Sequence, residues 1–177
     1  MINIKTKEEK LKEQLLLIVK LFIDKNKLDE VDMLIEHYND INDSILFTRI
    51  VISYNRKLIS LEDTFLIPNE TKKSTYHYIE MQAKILLYKC FVKLFKQTMP
   101  WGALTGIRPS KLFADKVDEC TDIKKANRIM KKVYLVSRKR VEILNKIYHM
   151  QRQYKAKVCD KFVDFYVNIP FCTSRCY

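Results

Sequence analysis

Leu11, Leu15, Ile18, Val19 and Phe22 recur at intervals of three and four residues, which places them on one stripe of an amphipathic α-helix. Residues 1–5 ahead of them read as a short strand. The acidic, mixed stretch Asp24–Asp43 predicts a second short helix and a loop. The pattern then changes. Ile45–Tyr54 is rich in β-branched and aromatic residues, Asn55-Arg56 reads as a turn, and Leu58–Ile67 reads as a second strand ended by Pro68. Together they predict a hairpin. A long helix follows from about Ser74 to Gln97, with Ile79, Ala83, Leu86, Leu87, Cys90 and Leu94 on one stripe. Ser74 or Thr75 can accept a hydrogen bond from a free amide of its first turn.

Pro100 closes this unit. The run from it to Pro109, which contains Trp101-Gly-Ala-Leu-Thr-Gly106-Ile-Arg-Pro109, holds the single tryptophan, both glycines and two of the four prolines. Pro109 suits the first position of a new helix, where its fixed φ fits and its missing N–H is not needed. Helices are expected at about 109–119, 122–132 and 134–156. In the last, Val136, Ile143, Leu144, Ile147 and Tyr154 are expected to be buried. Phe162–Ile169 is a near-continuous apolar run, the pattern of a strand covered on both faces in a parallel sheet. The fold class is therefore α+β: a small antiparallel sheet with packed helices, then a helical segment leading into a final strand.

Composition narrows the function classes. The 177 residues are 47% hydrophobic, enough for a core. Neither G-x-G-x-x-G nor G-x-x-x-x-G-K-[ST] occurs, so nucleotide binding through those loops is excluded. No signal peptide is visible. The longest apolar stretch, Leu15–Ile23, is broken by Lys20 and falls short of the ~20 residues of a membrane span. Five cysteines without a secretory signal point to a reducing cytoplasm. Cys90, Cys120 and Cys159 read as ordinary helix, helix-end and loop residues. His37, His77 and His149 have no ligand-like spacing and are expected at the surface.

Of the net charge of +12, residues 108–161 supply most, with 16 Lys and Arg against 6 Asp and Glu. Such a balance suits nucleic acid, an acidic membrane surface or a polycarboxylate, and equally suits lysines coating solvent-facing helix sides.

The sharpest chemistry lies at the end of the sequence. Cys172-Thr-Ser-Arg-Cys176-Tyr177 places two cysteines four apart, directly after the apolar strand-like run. A protein-held cubane cluster needs three or four thiolates, so the pair reads as part of a larger ligand set and the chain as the front of a longer enzyme.

Tyr166-Val-Asn-Ile-Pro-Phe-Cys172-Thr-Ser-Arg-Cys176 resembles the opening strand and cluster loop of radical S-adenosylmethionine (SAM) enzymes. More closely, it is similar to the oxygen-independent coproporphyrinogen III oxidase-like group, with its Y-x-x-I-P-F-C-x-x-x-C-x-aromatic-C signature. The Trp101–Pro109 segment upstream resembles the HemZ-type coproporphyrinogen dehydrogenases in particular. The resemblance covers the chain from about Tyr76 onward, and the first 70 residues only in layout.

This resemblance implies a [4Fe–4S] cluster with Cys172 and Cys176 as its first and second ligands; the third cysteine would fall two places beyond Tyr177. It implies SAM on the open iron, cleaved to a radical that takes hydrogen from substrate propionates, which then decarboxylate to vinyl groups. Tyr166 corresponds to the position whose ring lies against SAM. Asn168 stands where relatives usually have histidine or glycine, which leaves the exact porphyrinogen open. Arg108, at the start of a helix whose free N–H groups favour anions, could bind a carboxylate of SAM or substrate. Equally, the whole Trp101–Pro109 segment could be a structural joint, with Trp101 as a plug and Arg108 as a salt-bridge anchor.

The expected organisation is an α+β domain over 1–99, the joint and basic helical segment over 100–161, and the first strand and cluster loop of a TIM-like radical SAM barrel over 162–177. The whole enzyme would take a porphyrinogen and an electron donor in the cytoplasm, without membrane or nucleic-acid partners. Residues 1–177 alone would be inactive. The alternative is a basic helical nucleic-acid-binding module, marked by steeply salt-dependent binding.

Overall fold

A computed structural model describes residues 2–69, 73–104 and 107–155, together with Phe165 and Val167. Four strands form one sheet in the order β1 (Ile2–Lys5), β2 (Met33–Asn42), β3 (Ile45–Tyr54), β4 (Lys57–Leu66). Five helices accompany it: α1 (Glu9–Phe22), α2 (Thr75–Phe95), α3 (Pro109–Cys120), α4 (Ile123–Lys132) and α5 (Arg138–Lys155). The class is α+β, as the periodicities predict.

The stretch from Asp24 to Asp43 departs from expectation. Only a 3₁₀ turn at Lys25–Lys27 is helical, and Met33–Asn42 is a full strand, β2. Its alternation is real, with Met33, Ile35 and His37 buried on one face. Two of its inward positions, His37 and Asn39, are polar, which hid the period-2 signal. Pairing with β3 over ten residues, Met33↔Tyr54 to Asn42↔Ile45, supplies the order that local propensity does not.

The sheet is also mixed rather than purely antiparallel. β1 runs parallel to β2, from Ile2↔Met33 to Lys5↔Glu36. The connection through α1 is the crossover that a parallel pair requires. The other two connections are two-residue turns, Asp43-Ser44 and Asn55-Arg56, and all four residues have positive φ. That backbone matches the twist of the flanking strands.

The inner face of the sheet meets α1 and α2. Leu11, Leu15, Ile18 and Val19 of α1 share one buried core with Ile35, Ile50 and Ile52, and Phe22 enters an aromatic group with Tyr88, Phe91 and Phe95 at centroid distances of 5.3–5.9 Å. Ser74 caps α2, its hydroxyl accepting from the His77 amide at 3.3 Å. Buried residues of α2 extend well beyond one stripe, from Tyr78 and Gln82 to Lys84, Ile85 and Tyr88. The sheet and α1 cover one side of this helix, and the helical segment reaches the other.

That segment begins as the sequence predicts, with Pro109 in the first turn of α3. Phe113 and Val117 meet Ala126 and Met130 of α4 and Val141 and Leu144 of α5. Asn127 and Asn145 exchange amide hydrogen bonds of 3.2 and 2.7 Å between α4 and α5. The last helix starts at Arg138 rather than 134; Val136 just ahead of it and Leu144 within it are buried as expected. Val141 and Leu144 face inward, while Ile143 and Tyr154 are exposed at 38% and 66%. The final strand expected over 162–169 lies outside the described residues, apart from Phe165 and Val167, which are exposed and outside regular structure.

Candidate functional site

The segment Met99–Leu104 is bound to the loop that joins α4 to α5. Ala103 N–H donates to Tyr134 O at 2.9 Å and Ser137 N–H donates to Pro100 O at 3.0 Å. Gly102 has φ +58°, and a Cβ there would stand 2.1 Å from Tyr134 O and 2.5 Å from Leu135 C. Only glycine permits this approach. Trp101 is half-buried, with the Arg140 guanidinium 5.2 Å from its ring centroid. Tyr88 of α2 completes the link, its hydroxyl oxygen accepting from Met99 N–H at 2.7 Å. These contacts have the character of a joint.

Arg108 is the N-cap residue of α3, is exposed, and its side chain does not cap the helix. Its carbonyl accepts from Leu112 N–H at 3.1 Å, while its side chain enters no hydrogen bond or ion pair among the described residues, so the salt-bridge anchor expected of it is not seen there. Tyr166, Cys172 and Cys176 lie outside the described residues, as do Gly106 and Cys159. Among the described residues, no group of three or more His, Cys, Asp and Glu side chains could hold a metal. Cys90 is buried in α2 and its thiol is pushed up to about 12 by burial, which leaves it protonated and inert. Cys120 is half-buried at the end of α3.

The sheet and the helical segment enclose a cleft of about 580 Å³. Asp63, Thr64 and Phe65 of β4 and His77, Tyr78, Met81, Ile85 and Lys89 of α2 form one wall. Lys116 and Glu119 of α3, Ile129 and Lys132 of α4, and Val133 and Tyr134 form the other. The floor is apolar and partly aromatic: Phe65 and Tyr78 stack at 5.5 Å with an interplanar angle of 24°.

The rim is charged. Lys116 Nζ lies 2.5 Å from Glu119 Oε2, Lys73 Nζ 3.7 Å from Glu119 Oε1, and Lys89 Nζ 3.9 Å from Asp63 Oδ2. Burial alone would raise the Glu119 carboxyl. The Lys116 hydrogen bond and the charges of Lys116 and Lys73 outweigh it and hold the group below its usual range. His77 is lowered, chiefly by burial and then by Lys73, with Lys116 and Lys84 opposing Glu80. Burial, with smaller contributions from Glu119 and Tyr78, pushes Tyr134 up to about 12, and its neutral hydroxyl lies 3.3 Å from Met81 Sδ.

In the sequence His77 was read only as a surface residue and Pro68 as a strand end, and no pattern marked the cleft residues as a site. The one trace of them was the basic excess of residues 108–161, of which Lys116 and Lys132 reach the rim. His37, expected at the surface, is 2% exposed on the inner face of β2 and lies outside the cleft. His77 and His149 are exposed, as expected.

No protein-family model matches the chain, and no solved structure does. A curated relative does match: the oxygen-independent coproporphyrinogen-III oxidase-like protein HemZ of Bacillus subtilis (strain 168), 29% identical over 117 residues. The match takes in 63% of this chain and 23% of that protein, so the chain spans about a quarter of the length of the relative it matches. The similarity supports the coproporphyrinogen oxidase-like family that the motifs resemble. Among the described residues, no helix is long and apolar enough to cross a membrane.

Proposed function

We propose that the chain supplies the N-terminal portion of a radical SAM enzyme of the coproporphyrinogen dehydrogenase type, which oxidatively decarboxylates porphyrinogen propionates to vinyl groups in the cytoplasm. The observation that carries this reading is the run Tyr166 to Cys176, with its C-x-x-x-C pair after an apolar strand-like segment. Similarity to the Bacillus protein over 117 residues supports the family on which this reading draws.

The donor set suits the group. Thiolates are soft ligands and select iron–sulfur clusters over hard cations. Cys172 and Cys176 would hold two irons of a [4Fe–4S] cluster and Tyr166 would lie against SAM. When bound, that pair supplies one-electron radical chemistry. The chain's own contribution is positioning: Arg108, at the start of α3, would offer a guanidinium for a carboxylate of SAM or substrate. Two thiolates cannot complete a three-thiolate set, so residues 1–177 by themselves should not cleave SAM.

Reading the source gene beyond the Tyr177 codon tests the proposal directly. An aromatic codon and then a cysteine codon, followed by a long open frame, are expected. The encoded protein, reconstituted anaerobically with iron and sulfide, should bind a cluster that Cys172→Ala and Cys176→Ala each abolish. A stop codon at that point, or cluster formation indifferent to both substitutions, would overturn the reading.

A further inference from the structure

We propose that the cleft between β4–α2 and α3–α4 is a binding site for a small organic anion: a flat apolar body with carboxylate or phosphate groups along one edge. This inference stands on the cleft alone and does not depend on the radical SAM reading.

Three observations carry it. The volume of about 580 Å³ lies within the roughly 300–1,000 Å³ range of small-molecule sites. The floor is built for an apolar, flat partner, with the stacked Phe65 and Tyr78 rings beside Met81 and Ile85. Charge gathers at the rim, where among the described residues Lys73, Lys89, Lys116 and Lys132 stand with two carboxylates, Asp63 and Glu119, while Thr64, His77 and Gln82 add polar groups to the lining. The cleft therefore carries a surplus of positive charge beside an apolar floor, the complement of an amphipathic anion.

The ion pairs on the rim are of a kind that can yield. Those of Lys73 and Lys89 are long, 3.7 and 3.9 Å, and partly exposed, and such pairs contribute roughly 0–1 kcal/mol. A ligand carboxylate or phosphate could therefore recruit the Lys89 ammonium group at little cost. Lys132 is exposed on the α4 side of the rim and widens the cationic arc. A neutral ligand would leave this charge unused, and a long polymer would not fit a space closed by β4 and α2 on one side and α3 and α4 on the other.

The test uses the purified 177-residue chain and anilinonaphthalene sulfonate, an aromatic anion whose fluorescence rises on entering an apolar site. Saturable binding to the folded protein is expected, with naphthalene dicarboxylate as a competitor and neutral naphthalene dimethanol a poor one. Lys132→Glu and Lys116→Met should each weaken binding about tenfold, a difference of about 1.4 kcal/mol, with unchanged circular dichroism and urea midpoint. Lys132→Glu sits on an exposed position and keeps the test valid should Lys116→Met disturb α3. Stronger displacement by adenosine monophosphate than by the dicarboxylate would assign the anionic edge to phosphate, within the proposed class. Binding unchanged in both variants, or equal displacement by the neutral analogue, would overturn the proposal.

Discussion

His37 occupies a position where its chemistry and its surroundings conflict. Thr6 Oγ1 lies 3.0 Å from its Nδ1, and Thr6 also accepts from the Glu8 amide at 3.2 Å, so the Thr6 hydroxyl hydrogen is available to Nδ1. The His37 Nε2 is buried with no partner among the described residues, as are Asn39 Oδ1 and Thr48 Oγ1 on the same stretch of the β2–β3 pair. Burial lowers the His37 pKa from 6.5 to about 4. The unfolded chain thus takes up a proton below about pH 6.5 that the folded chain refuses. Stability should fall as pH drops from there towards 4, by about 2 kcal/mol at pH 5 and about 3 kcal/mol in full. Urea unfolding at pH 7 and pH 5 checks this: His37→Gln should remove most of the difference, and equal pH slopes in both proteins would disprove the assignment. Nothing in the sequence around His37 signals burial, because its position follows from the register of β2 on β3.

At the scale of elements, legibility tracked how local the signal is. The α1 stripe, the β3–β4 hairpin, the Ser74 cap and Pro109 at the start of α3 all depend on neighbours a few residues away, and all were found where the pattern puts them. β2 depends on a partner strand and was missed. The Trp101–Pro109 segment was legible as unusual but not in its mechanism, since its partners, Tyr134 to Ser137, lie more than thirty residues on. Gly102 makes that mechanism testable. Alanine there would combine a left-handed φ with a Cβ inside contact distance of the Tyr134 and Leu135 backbone. Gly102→Ala should destabilise the protein by about 2–4 kcal/mol, read as a lowered urea midpoint. A change below about 0.5 kcal/mol, the range of ordinary surface substitutions, would show that the close approach is not obligatory.

At the scale of the whole molecule, α2 is the shared wall of two units. One continuous core runs from Leu11 through Leu87 and Phe91 to Phe113 and Leu144. The α+β unit and the helical segment should therefore unfold together. Trp101 sits at their junction as the single tryptophan. Its fluorescence and the far-ultraviolet circular dichroism should give the same urea midpoint, as a two-state transition requires; separated midpoints would mean that the units unfold independently. The sequence by itself determined the α+β class, the order of most elements and the joint as a place of unusual backbone, because periodicity and turn residues are written over short stretches. Only the tertiary structure decided that β2 is a strand, that β1 pairs in parallel, and that α2 is covered on two sides. It also brought Phe65, Tyr78, Lys116, Lys132 and Tyr134 around one cleft. Those residues span seventy positions, and no local pattern encodes which distant side chains meet once burial of apolar surface has chosen the packing.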